Sequence, residues 1–247
     1  MTLSAIDVTI RFGGVIAVNQ MAILVQPGEI VGLIGPNGAG KTTFINCICG
    51  SYQPSIGSIR WKDKELLGLS PNMLLRLGIS RTFQNVASLH DLTVMDLVKL
   101  GAGMSRQRPG FRGWFWESKA LEGELTETLL GPLGLESYAH QPIQTLPYGR
   151  RKATDLARAL AANPKLLLLD EPVAGLTTQE AMAMAGVIRR VREQLGCAVM
   201  MVEHKMDVVL NTCDRIVVMA AGSKIFEGSG TEVQSDAEVR RVYLGEP

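Results

Sequence analysis

The chain has 247 residues, 46% of them apolar and 20% charged, with a formal net charge of +1. This balance fits one α/β domain with a large buried core, and it argues against a nucleic-acid partner, which would call for a basic excess. Apolar runs such as residues 166–169 and Ala198–Val202 are far shorter than the ~20 residues a membrane-spanning helix needs. Met1-Thr2-Leu3-Ser4 lacks a signal-peptide pattern. A cytoplasmic protein is expected, and any work on a membrane requires a partner that supplies the spans.

In chain order, Met21, Ile23 and Val25 alternate with Ala22, Leu24 and Gln26 as in a strand, and Pro27-Gly28 turns the chain. Ile30–Ile34 is a second, wholly apolar strand that runs into a glycine-rich loop, with an apolar helix over residues 44–48 beyond it. From about Val86 to Arg158 strand signals fade and helical patterns dominate. The expected organisation is a single domain, residues 1–247, with an α/β core over 1–86 and 159–247 and a helical subdomain inserted over 87–158.

Asn163-Pro164 ends a helix, and residues 166–169 form a buried strand. Thr177 and Glu180 have capping-box spacing. The helix they open carries Met184, Val187, Ile188, Val191 and Leu195 on one face, and Gly196 ends it. Ala198–Val202 is the next strand, and residues 216–219 and 224–226, around Ala221-Gly222, read as a hairpin. Short strands alternating with longer helices place the fold in the α/β class. Cys47, Cys49, Cys197 and Cys213 have no convincing zinc or redox-motif spacing and are expected to be buried free thiols.

Gly35-Pro36-Asn37-Gly38-Ala39-Gly40-Lys41-Thr42 fits the phosphate-loop pattern at every fixed position, between a strand and a helix. Glycines let backbone N–H groups turn inward around phosphate oxygens, and the helix N-terminus adds partial positive charge. Lys41 supplies a point charge to the β- and γ-phosphates, backbone amides from Gly38 to Thr43 stabilise charge, and the Thr42 hydroxyl is a Mg²⁺ ligand. Asp170 and Glu171 end the strand over 166–169. Ligands of open α/β sheets bind at the carboxyl ends of strands, so Asp170 is expected to hold the Mg²⁺ shell and Glu171 to polarise an attacking water.

With these motifs in place, the chain resembles the nucleotide-binding domains of ABC (ATP-binding cassette) transporters along essentially its whole length. The narrower resemblance is to the ATPase subunits of branched-chain amino acid importers. The resemblance implies a mixed sheet core with antiparallel edge strands and an inserted helical subdomain. It implies that Phe12 stacks on adenine. In Arg81-Thr82-Phe83-Gln84-Asn85, Gln84 matches the glutamine that touches Mg²⁺ or the water and senses the transmembrane partner. His204, after the Ala198–Val202 strand, matches the switch histidine that hydrogen-bonds the γ-phosphate. Leu146-Pro147-Tyr148-Gly149-Arg150 falls where the family has Leu-Ser-Gly-Gly-Gln, before a helix with Ala153, Leu156, Ala157 and Leu160 on one face. Tyr148 and Gly149 would there meet the γ-phosphate held by another subunit. Pro147 and Arg150 replace the family's serine and glutamine, and Thr177 stands where aspartate usually ends the following family motif.

Arg11-Phe12-Gly13-Gly14 and Val242-Tyr243-Leu244-Gly245-Glu246 add to the narrower resemblance. It implies ATP and Mg²⁺ as cofactors, a second ATPase subunit in a homo- or heterodimer, and transmembrane permease subunits. It also implies an extracytoplasmic solute-binding protein acting indirectly, and a place at the cytoplasmic face of the membrane. The expected function is the ATP-hydrolysing motor of an importer for branched-chain amino acids or related small polar solutes. The alternatives are a non-transport ATPase of the same family and a weakly hydrolysing regulatory subunit. Residues 106–116 interleave basic and aromatic side chains and read as subdomain packing or as a contact with the permease or lipid headgroups, with nucleic acid a remote third because the net charge is near zero. His90 and His140 carry no assigned role.

Overall fold

In the computed structural model, residues 2–82, 92–105 and 118–244 are described. Gln84, His90 and the 106–116 stretch lie outside them, as does the expected boundary at residues 86 and 87. The chain builds two sheets. β1 (Leu3–Phe12), β2 (Val15–Val25), β4 (Ile56–Trp61) and β5 (Lys64–Glu65) form an antiparallel sheet in the order β2-β1-β4-β5. The second sheet has the order β10-β9-β3-β8-β7-β6. Its strands β3 (Ile30–Ile34), β6 (Ile79–Arg81), β7 (Leu166–Asp170), β8 (Ala198–Val202) and β9 (Arg215–Ala220) are parallel, and β10 (Ser223–Gly228) closes one edge antiparallel.

The all-leucine run in β7 follows from its position between two layers. Leu167 and Leu169 join a core formed with the helices, whereas Leu166 and Leu168 join one formed with the antiparallel sheet and α1 (Lys41–Ile48). A strand covered on both faces has no polar side to show, so hydropathy alternation disappears. α2 (Pro71–Arg76) precedes β6.

Between β6 and β7, the regular elements among the described residues are helical, joined by turns, with one isolated bridge, Thr93 to Pro142. They form α3 (Val94–Ser105), α4 (Ser118–Leu125), a π-helical turn at Thr126–Leu130, short 3₁₀ turns and α5 (Tyr148–Ala161). The expected boundary at residues 158 and 159 falls inside α5.

α6 (Thr178–Leu195) starts at a complete capping box made by Thr177 and Glu180, and Gly196 ends it in the left-handed region at φ 59°. Met184, Val187 and Ile188 are buried as the helical period requires, but Leu195 is 43% exposed. The last turn of α6 lines a cleft beside Leu75 and Leu160. α7 (Met206–Thr212), α8 (Gly230–Ser235) and α9 (Ala237–Leu244) complete the chain. The four cysteines are free, and burial pushes the Cys47 and Cys213 thiols up to about 12. Among the described residues no helix is long and apolar enough to cross a membrane.

Candidate nucleotide site

Register brings three loops together. Leu33 of β3 pairs with Val202 of β8, and Val202 pairs with Asp170 of β7. The glycine-rich loop, the acidic pair and His204 therefore leave the same carboxyl edge on adjacent strands, where an open α/β sheet binds its ligands.

In the loop, Pro36, Asn37 and Gly38 are exposed while Ala39 is buried. Gly40 precedes α1 at φ 97°, and a Cβ there would stand 2.4 Å from the Ala17 carbonyl oxygen. Only glycine allows β2 to press this closely on the loop. The Lys41 ammonium donates to the carbonyls of Gly35 at 2.7 Å and Pro36 at 2.9 Å. Its burial lowers its pKa, while Glu171 and then Asp170 oppose that shift, so the lysine lies in the field of both carboxylates. Thr42 and Thr43, in the first turn of α1, are half-buried. The loop thus presents a lysine, two hydroxyls and a helix N-terminus on one side, a suitable cradle for a polyphosphate.

Asp170 is 1% exposed. One carboxylate oxygen accepts from the Arg81 guanidinium at 2.8 Å, and Arg81 also donates to the Asn46 side chain of α1 at 2.5 Å. Among the described residues, the other oxygen, Oδ1, is buried without a hydrogen-bond partner. Burial raises the Asp170 pKa and Arg81 counteracts it. An orphaned, anionic oxygen donor suits a hard divalent cation. Among the described residues no cluster of three or more His, Cys, Asp or Glu forms a cage. The donor set of Asp170 and Thr42 suits Mg²⁺, which takes few protein ligands and completes its shell with water and phosphate oxygens.

Glu171 adopts φ 50°, a costly conformation for a residue with a Cβ and one that clusters at functional sites. Its N–H donates to the Val202 carbonyl at 2.9 Å. The His204 imidazole Nδ1 lies 3.9 Å from a Glu171 carboxylate oxygen. Phe12 ends β1 in the hairpin whose second strand touches Gly40. Phe12 is 45% exposed and meets Tyr52 edge-on at 5.1 Å, so its ring is open to a flat partner. Gln84 follows β6 outside the described residues; Arg81 and Thr82 lead to it, and the Thr82 hydroxyl accepts the Asp170 N–H at 3.2 Å.

α5 begins at Tyr148, within the segment that sequence reasoning placed before the helix, so Tyr148, Gly149 and Arg150 form its first turn. Pro147 occupies the N-cap position and its carbonyl accepts the Arg151 N–H at 3.1 Å. Arg150 turns away from the helix start: it donates to the Gly134 carbonyl at 2.9 Å and lies over the Tyr138 ring at 5.4 Å.

Sequence reasoning missed several residues that shape this site. Arg81 stands 89 positions from its partner Asp170, and no local spacing marks such a pair. Glu203 is fully buried, and its carboxylate accepts the N–H groups of Val173 at 2.9 Å and His204 at 3.1 Å. A buried charge next to a candidate histidine was the available signal.

The family described as ABC transporter matches residues 18–174, well over half the chain. The family described as branched-chain amino acid ATP-binding cassette transporter matches residues 223–247. The high-affinity branched-chain amino acid transport ATP-binding protein LivG of Escherichia coli is 36% identical, over 99% of this chain and 98% of its own. BraF of Pseudomonas aeruginosa, which carries the same description, is 34% identical over 99% of this chain and 98% of its own. Among solved structures, the ADP conformation of MJ1267, an ATP-binding cassette of an ABC transporter, superposes with a TM-score of 0.85 at 29% identity, covering 100% of both chains. The fold, the phosphate loop and these likenesses agree, and the chain belongs to the ATP-binding ATPase family of ABC transporters.

Proposed function

We propose that this chain is the motor subunit of an importer for branched-chain amino acids or related small polar solutes. The observation that carries the reading is the meeting of the phosphate loop, Asp170-Glu171 and His204 on one sheet edge, in a chain similar to LivG from end to end. The chain sits at the cytoplasmic face of the membrane through transmembrane permease subunits. It pairs head to tail with a second ATPase subunit, and an extracytoplasmic binding protein delivers the solute. The α/β core over 1–86 and 159–247 carries the nucleotide. The helical region over 87–158 carries the signature, and Gln84 links the two.

In this mechanism Phe12 stacks on adenine. Residues 35–43 wrap the phosphates, and Lys41 exchanges its loop carbonyls for the β- and γ-phosphate oxygens. Thr42 and Asp170, with Gln84, hold Mg²⁺, which neutralises phosphate charge when bound. Arg81 keeps Asp170 aimed. Glu171 accepts the proton of the attacking water in line with the γ-phosphate, and His204 donates a hydrogen bond to that phosphate. The N-terminus of α5, with Tyr148 and Gly149, faces the γ-phosphate held by the partner subunit. Pro147 removes a hydroxyl but leaves the first-turn N–H groups in place, and Arg150 keeps its charge on the 133–138 segment.

Proteoliposomes holding the chain with its permease and binding protein test the cargo. ATP-driven uptake of leucine, isoleucine or valine is expected. ATP hydrolysis without such uptake, or uptake of an amide or urea alone, refutes branched-chain amino acids as the cargo.

A further inference from the structure

We propose that Lys152, on the signature helix, is a positioning residue for the base Glu171 and makes hydrolysis in one site depend on the pose of the helix that serves the other. This rests on the roles assigned above to Glu171 and to α5. Lys152 lies in the first turns of α5 and donates from its ammonium to the Glu171 carbonyl at 3.1 Å. The Glu171 backbone sits at φ 50°, where a side chain crowds its own peptide and the neighbours must hold the conformation. Among the described residues, three groups hydrogen-bond this peptide. Val202 holds the N–H at 2.9 Å, and the carbonyl accepts from the Ala174 N–H at 3.2 Å and from Lys152. Lys152 is thus the side-chain grip on this peptide, and it comes from a different element.

The helix dipole does not account for the placement, although the Lys152 ammonium also lies 5.8 Å from the Tyr148 ring centroid one turn back. A cation near the N-terminus of a helix opposes the macrodipole, and α5 has no acidic residue in its first turn. The same strap, residues 171–177, is gripped further along. Glu203 accepts the Val173 N–H, and the Lys205 ammonium donates to the Leu176 carbonyl at 2.6 Å. Glu203 and Lys205 flank His204. From the signature side, the Tyr148 ring packs on Gly175, where a Cβ would stand 2.7 Å from Cε1. The strap therefore joins the base, the switch histidine and the signature helix. A rotation of α5 pulls on the Glu171 carbonyl directly through Lys152, whereas it reaches Asp170 at one remove, through Arg158 on the Arg81 carbonyl.

Purified full-length K152M and K152R, each alone and with Glu171→Gln, test this. K152M is expected to lower kcat by at least about tenfold while KM and ATP affinity stay within about twofold. K152R, which keeps the cation, is expected to restore kcat to within about threefold of wild type. With Glu171→Gln, K152M is expected to leave ATP-driven dimerisation intact and to take nothing further from the residual rate. A K152M kcat within about twofold of wild type overturns the proposal. Loss of the ATP-driven dimer in the double variant also overturns it, by assigning Lys152 to the signature contact. Wild-type turnover in Glu171→Gln alone removes the base itself; that failure involves no change at Lys152 and is distinguishable from the other two.

Discussion

Replacing Arg81 by methionine removes the cation that faces the buried Asp170 carboxylate beside the phosphate loop. The Asp170 side chain is 0% exposed and its Arg81 partner 18%, with 2.8 Å between them. Removing one partner of such a pair leaves an uncompensated buried charge, at a cost of about 3–5 kcal/mol. Arg81 retains some solvent access, which places the expectation at the lower end, about 3 kcal/mol. For a domain of this size that corresponds to a fall in Tm of about 6–12 °C.

The pH dependence has a definite sign. Burial raises the Asp170 pKa above its ordinary 3.8 in the folded state, and Arg81 limits that rise. Between the two values the native state holds more protons than the unfolded state, so stability falls as pH rises through that window. R81M extends the window upward. Its deficit against wild type is therefore larger at about pH 8 than at about pH 5, because protonation of Asp170 increases as pH falls. Urea denaturation at both pH values measures this, and D170N added to R81M is expected to recover part of the loss. An equal deficit at both pH values, or one under about 1 kcal/mol, refutes the reasoning.

Two further predictions concern residues with distinct geometric demands. Gly175→Ala forces a Cβ toward Tyr148 at 2.7 Å and strains a backbone at φ 76°; thermal melts are expected to show a loss of about 1–3 kcal/mol. Tyr148→Ala in that background relieves the clash and not the backbone strain, so only partial recovery is expected. Phe12→Ala removes a ring stack of about 0.5–1.5 kcal/mol, so calorimetry is expected to show ATP and ADP binding roughly two- to twelvefold weaker, with Phe12→Tyr near wild type. Unchanged affinity would leave Phe12 as a packing partner of Tyr52.

What was legible in the sequence is what chemistry keeps contiguous. The phosphate loop must place its glycines, lysine and threonine within one turn and one helix start, so residues 35–42 carry the pattern whole. The acidic pair follows an uninterrupted apolar strand, and the Thr177 capping box spans one helical turn. The features that aim these groups are long-range. Arg81 reaches Asp170, and Lys152 reaches Glu171, only because β6, β7 and α5 are folded together. The left-handed backbone of Glu171 has no glycine to announce it. The start of α5 at Tyr148 was misplaced because Pro147 gives no side-chain cap. Helical period placed Leu195 on the same face as Met184 and Ile188, but period says nothing about whether a layer covers the last turn.

Glu171→Gln decides whether this sheet edge hydrolyses ATP with Glu171 as the base. The variant is expected to bind ATP as wild type does, to accumulate as an ATP-bound dimer and to hydrolyse about 10²–10⁴-fold more slowly. Turnover at the wild-type rate in that variant would contradict the base role of Glu171.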